Sequence, residues 1–117
     1  MKIKIHRGLD QIGGCITEIW TDTSRVFIDF GQNLPGIGEP STPEEDEAMV
    51  EGIFANNKKE HVAVFYTHGH EDHVGLFTDI PDGVAQYMSE GTNSLLSTKY
   101  GVLYKCALSI VMDLLKV

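Results

Sequence analysis

The sequence predicts an α+β domain in which helices pack on an antiparallel-to-mixed sheet. Three observations carry that expectation. Three short segments near the N-terminus alternate apolar with polar residues or are rich in β-branched and aromatic ones, at close spacing. A proline-led acidic helix start follows near residue 43. A run apolar on both faces, residues 61–66, then leads directly into a dense set of imidazoles and carboxylates.

Taken in order, Ile3 and Ile5 alternate with Lys2, Lys4 and His6, the pattern of an edge strand. Residues 8–14 form a connection whose strongest turn signal is Gly13-Gly14. Residues 15–21 (Cys-Ile-Thr-Glu-Ile-Trp-Thr) read as a second strand. Asp22-Thr23-Ser24 turns the chain into a third, Arg25-Val26-Phe27-Ile28-Asp29, which Gly31 ends. Connections this short favour an antiparallel meander. Residues 32–43, rich in proline and glycine, are loop. Ser41-Thr42-Pro43-Glu44-Glu45 then combines a capping hydroxyl, a proline in the first turn and acids at the positive end of the helix dipole. Gly52 and Asn56-Asn57 are candidate stops for that helix.

Residues 61–66, apolar on both alternating faces, suit a strand buried from both sides. Residues 79–83 are a turn, residues 84–88 a further strand, and a helix runs from Ser94, a candidate cap. Residues 102–117 are mostly apolar, but Lys105 and Asp113 interrupt them, so they do not form a membrane span. Their polar stripe is too narrow for a surface helix. They are expected to bury against further chain or against a partner, such as a second copy of the protein.

At 117 residues the chain is expected to be a single domain, residues 1–117. Its net charge of −8 argues mildly against this segment alone gripping nucleic acid, which usually meets a basic face. The run Glu44-Glu45-Asp46-Glu47 reads as a solvated face. Cys15 and Cys106 form neither a CxxC pair nor a disulfide framework, and both lie among apolar residues, as buried free thiols of a reducing compartment do. The alternating N-terminus lacks the continuous apolar stretch of a signal peptide. A cytoplasmic protein with no membrane association is therefore expected.

The chemistry is concentrated in Thr67-His68-Gly69-His70-Glu71-Asp72-His73-Val74-Gly75. Three imidazoles and a carboxylate fall within six residues, and these are the ligands zinc takes in catalytic sites. On an ideal helix the four side chains would splay around more than half of the circumference. On a strand His68, His70 and Asp72 would share a face while His73 pointed away. The strand must therefore end and the chain curl around the metal, which Gly69 and Gly75 permit. The spacing suggests two ions, with His68 and His70 serving one and Asp72 and His73 the other, in the manner of two-metal hydrolases. Glu71 points between the ligands, towards solvent. His6 and His61 have no second ligand beside them and read as ordinary strand histidines, and Trp20 as a core or interface anchor.

These residues resemble the HxHxDH hallmark of the metallo-β-lactamase superfamily. The fuller string THGHEDHVG resembles ribonuclease J and the wider β-CASP group of RNA-processing nucleases. Asp29, in Phe27-Ile28-Asp29-Phe30-Gly31, is similar to the family's earlier aspartate at a strand end. Ile12-Gly13-Gly14-Cys15 resembles the glycine turn near the start of the β-CASP proteins. The similarity spans residues 3–90.

The resemblance implies the N-terminal half of an αββα metallo-β-lactamase fold. It implies a first zinc on His68 and His70 and a second on Asp72 and His73. Asp72 would also position or deprotonate the attacking water, and Asp29 would hold a ligand in orientation. RNA would be the substrate, and Mn²⁺ could replace Zn²⁺. His70 stands where the flavo-di-iron branch carries glutamate, which favours a zinc-type hydrolase. The family completes its site downstream with a histidine, a bridging aspartate and a last histidine. After His73 this sequence has no histidine, and its only carboxylates are Asp79, Asp82, Glu90 and Asp113. A truncated part of the domain is the expectation. The alternatives are a hydrolase of a small ester, thioester or lactone, and a catalytically incomplete fragment that folds only with a partner.

Overall fold

The computed structural model describes residues 1–36 and 41–100; the apolar stretch 102–117 and Cys106 lie outside the described residues. The chain builds β1 (Lys2–Arg7), β2 (Ile16–Trp20), β3 (Ser24–Phe30), α1 (Pro43–Phe54), β4 (His61–Phe65), α2 (Glu71–Val74), β5 (Ala85–Tyr87) and α3 (Glu90–Tyr100), with a 3₁₀ turn at Phe77–Asp79. The five strands form one sheet in the order β1-β2-β3-β4-β5. The first three make the expected antiparallel meander. β4 pairs parallel to β3, and β5 parallel to β4. A parallel neighbour needs a long crossover, which the loop and α1 supply between β3 and β4. Among the described residues the architecture is α+β: a five-stranded mixed sheet with three helices.

α1 starts where its sequence signals place it. Thr42 caps it, its Oγ1 accepting from the Glu45 amide at 3.1 Å, and Pro43 occupies the first turn. Gly52 does not stop the helix. α1 runs on to Phe54, and the chain leaves it through Asn56, which takes a left-handed φ of 57°. The last helix begins earlier than expected. The Ser89 hydroxyl, not Ser94, accepts from the Thr92 amide at 3.2 Å, and the helical span starts at Glu90. Ser94 lies inside it, where its carbonyl accepts from the Thr98 hydroxyl.

The buried side chains of all three helices join a single cluster on one face of the sheet, where Val50, Val74 and Leu96 meet Phe27, Phe30 and Val64. Phe27, Phe30 and Phe54 form its aromatic centre, with ring centroids 5.0 to 5.7 Å apart. The acidic run at the start of α1 is not wholly solvated. Asp46 is buried and accepts from Arg7 Nη1 at 2.8 Å. The same guanidinium donates to the carbonyls of Gly14 and Gly31. One arginine thus ties β1, the glycine turn, the end of β3 and α1 together. The buried carboxylate is stable there because it is paired.

β4 is buried on one side rather than both. Val64 and Tyr66 face the cluster, whereas Phe65 is 42% exposed. The registers place Ile3, Ile19, Val26, Ala63 and Ala85 in one cross-strand row, and Ile5, Thr17, Ile28, Phe65 and Tyr87 in the next. Both rows lie on the face opposite the cluster. Phe65 stacks on Tyr87 there, and Ile3 and Ile5 are exposed.

On the helix side of β2, Glu18 is buried between Arg25 and His6. Arg25 donates to both carboxylate oxygens, at 2.8 and 3.1 Å, and the His6 ring nitrogen lies 2.8 Å from Oε1. Burial is the largest influence and opposes the charged form, but the hydrogen bonds from Arg25 and His6, with the charge interactions of the same two residues, together outweigh it and hold the carboxyl below its ordinary value of 4.5. A depressed carboxylate contributes stability that is present above its unfolded pKa and is lost as pH falls through the folded one. Thermal melting from pH 7 to pH 3 should therefore show wild-type stability falling below pH 4.5. Glu18→Gln should melt lower at pH 7 and lose less on acidification.

Candidate metal centre

The centre is built where β3 and β4 end side by side. Asp29, next to last in β3, is almost fully buried and takes a left-handed backbone with φ of 65°. That conformation is uncommon for a residue with a side chain, although aspartate tolerates it better than most. The twist turns the carboxylate towards the segment leaving β4. There Oδ1 accepts from the Thr67 amide at 2.8 Å, and Oδ2 accepts from the Thr67 hydroxyl at 2.8 Å. Oδ2 also lies 2.8 Å from His73 Nδ1.

The chain then curls as its glycines suggested. His68 and His70 lie in irregular backbone, and α2 carries Asp72 and His73 in a single turn. The main chain of that turn is held from two sides. The Gln32 amide donates to the Glu71 carbonyl at 2.8 Å, and the Cys15 amide to the Asp72 carbonyl at 3.3 Å. The approach is close enough to exclude side chains. A Cβ on Gly31 would overlap the Asp72 carbonyl oxygen, and one on Gly13 would sit 2.8 Å from the Asp72 Cβ.

Ligand-type atoms of His68, Asp72 and His73 all lie within 4.8 Å of one another. The rings of His68 and His73 are 4.0 Å apart, centroid to centroid. His73 Nε2 is 3.4 Å from Asp72 Oδ2. Because an ionised carboxylate only accepts, Asp29 places the proton of a neutral His73 ring on Nδ1. Nε2 and Asp72 Oδ2 then turn lone pairs towards each other, an arrangement that a cation between them relieves. Two imidazoles and a carboxylate in this geometry fit the donor set of zinc. His70 stands apart from the converging three. It is exposed at the cap of α2, with its ring edge-on to His68 at 4.8 Å, and its carbonyl accepts from the His73 and Val74 amides.

The field around the cluster is negative, and two bystanders register it. Burial, then the charges of Asp29 and Asp72, push the Cys15 thiol upward. Burial and then Asp29 push the Tyr66 phenol well up. Cys15 is half-buried against this polar turn rather than enclosed in an apolar core. Glu71 faces outward, as expected, and pairs with Lys99. His6 is half-buried beside Glu18, and His61 is exposed; neither approaches the cluster group. Beside His70 and Asp72 runs a groove lined by Leu34, Leu95 and Leu96. The residue that sequence reasoning missed is Thr67. Its only signal was a hydroxyl directly before His68, and threonine at a strand end is too common to single out.

No family model matches the chain, and no curated protein matches it. Among solved structures it is similar to a protein of unknown function from Enterococcus faecalis, with 23% sequence identity and a TM-score of 0.61. The match covers 88% of this chain and 29% of that one, so the chain spans less than a third of that protein's length. A likeness at this identity shows a shared fold alone.

The close approach of Gly31 to α2 can be tested against a glycine that has room. Gly31→Ala should destabilise the protein by about 1–3 kcal/mol, as overpacking does, and should displace Asp72. Gly52→Ala, a helix-interior site with open space around it, should stabilise by roughly 0.5–1 kcal/mol. Chemical denaturation of both variants checks the pair.

Proposed function

We propose that this chain is the metal-binding part of a metallo-β-lactamase-type hydrolase, with RNA phosphodiester bonds as the substrate of the complete protein. The single observation that carries this reading is the convergence of His68, Asp72 and His73 around one point, with Asp29 beneath them. The αββα architecture is part of the same proposal. The apolar face opposite the helices suits a second sheet packed upon it, as in a sandwich.

Within this reading His68 and His73 hold a metal through imidazole nitrogen, and Asp72 contributes an oxygen. His70, beside His68, is placed to serve the same cluster after a small turn of its exposed ring. When bound, zinc or manganese would polarise a phosphoryl oxygen and lower the pKa of a water at the site. Asp72 has a second oxygen with which to orient that water and take its proton. Asp29 acts one step removed: it does not reach the substrate, but it fixes which His73 nitrogen faces the centre. The leucine groove beside Asp72 and the overall acidity favour a second reading, hydrolysis of a small ester, thioester or lactone whose apolar part lies against Leu34 and Leu95.

Zinc uptake, measured by chelator competition, tests the site apart from the substrate. His68→Ala and His73→Ala should abolish stoichiometric binding. Asp29→Asn, which keeps a residue tolerant of the left-handed backbone, should weaken binding by about 10–100-fold. Binding unchanged in His68→Ala would remove the metal centre. Manganese-dependent cleavage of short RNA, lost in Asp72→Ala, supports the nuclease reading; turnover of a thioester with RNA left intact selects the second.

A further inference from the structure

Thr67 bridges the two halves of the centre. Its amide donates to Asp29 Oδ1, and its hydroxyl oxygen lies 2.8 Å from Asp29 Oδ2 and 2.9 Å from His68 Nδ1. A hydroxyl has one hydrogen to give, and an ionised carboxylate can only accept. The hydrogen therefore goes to Asp29, and the Thr67 oxygen accepts from His68 Nδ1–H.

We propose that Thr67 is a positioning residue that links His68 to Asp29 and so makes Nε2 the nitrogen that His68 presents to a metal. One buried carboxylate then sets two ligands, His73 directly and His68 through the Thr67 hydroxyl. Both rings are then protonated on Nδ1, which leaves the Nε2 lone pair of each free for a metal; that of His73 lies 3.4 Å from Asp72 Oδ2. The Thr67 amide alone satisfies Oδ1 and fixes the backbone. The hydroxyl is also one of the donors to Asp29 Oδ2, but what the tautomer and orientation of His68 depend on is its remaining acceptor capacity. Metal-bound imidazoles commonly donate their other N–H to such a partner, and loss of that partner weakens metal binding.

This inference rests on the metal-centre reading, and the test separates the two. Zinc affinity is measured for the wild-type chain, Thr67→Val and Thr67→Ser, alongside imidazole ¹⁵N spectra of the metal-free proteins. Thr67→Val, nearly isosteric but without the hydroxyl, should bind zinc about 10–100-fold more weakly and lose the Nδ1–H form of His68. Thr67→Ser, which keeps the hydroxyl, should restore both. Wild-type affinity and an unchanged His68 tautomer in Thr67→Val would overturn the role of Thr67 and leave the metal centre standing. If the wild-type chain takes up no zinc, the metal-centre reading fails instead, and the spectra still decide the hydrogen bond. If Thr67→Val does not fold, the wild-type spectrum decides: an Nε2–H tautomer at His68 overturns the proposal, and an Nδ1–H tautomer supports it.

Discussion

Everything at the candidate site depends on one buried carboxylate at the end of β3. Asp29 is 4% exposed, and a charge so enclosed is tolerable only when donors surround it. It has three: the Thr67 amide, the Thr67 hydroxyl and His73 Nδ1. To reach them the backbone adopts a left-handed conformation that costs energy for any side chain larger than glycine. The three hydrogen bonds offset that cost. In return they fix the exit of the chain from β4, the start of α2 and the facing nitrogen of two imidazoles.

The surrounding fold is arranged so that this geometry cannot relax. Gly31 lets one loop press against the Asp72 main chain and Gly13 lets another press against the Asp72 side chain, while the nearby Gln32 and Cys15 amides bind the α2 carbonyls. Arg7 secures those loops from behind by binding the Gly14 and Gly31 carbonyls, and it is itself held by buried Asp46 of α1. A chain of hydrogen bonds thus runs from the first helix to α2, charge-assisted from Asp46 through Arg7 to the Gly14 and Gly31 carbonyls and neutral backbone bonds from there on. The charge-assisted bonds are stronger than neutral ones and fix direction as well as distance.

The sheet is two-faced in an unusual sense, because both faces are largely apolar. The helices cover one, and Phe27, Val64 and their neighbours account for the core. The other carries two cross-strand rows, apolar except for Thr17, with Ile3, Ile5 and Phe65 exposed. A patch of this kind on a sheet ordinarily meets another layer of protein. The same one-sidedness explains why β4 reads from sequence as doubly buried while only Val64 and Tyr66 are. An apolar residue records the tendency to be covered, not whether the cover is present.

Local sequence determined the elements and the composition of the cluster. Alternation set β1, β-branched and aromatic content between turn signals set β2 and β3, Thr42-Pro43 set the start of α1, and the gap between strand and helix periodicity required a curl through Gly69. Those features depend on neighbours a few residues apart, which the sequence displays directly. Other outcomes were decided by distant partners. Asp46 looked solvated within an acidic run, but Arg7, 39 positions away, holds it in the interior. The last helix begins at Glu90, capped by the Ser89 hydroxyl rather than by Ser94. Asp29 could be placed near the ligands by resemblance alone, and Thr67, although it directly precedes His68, gave no sign of its role. Their roles consist of contacts spanning 38 and 44 positions, and only the side-by-side ends of β3 and β4 bring those atoms within hydrogen-bonding distance.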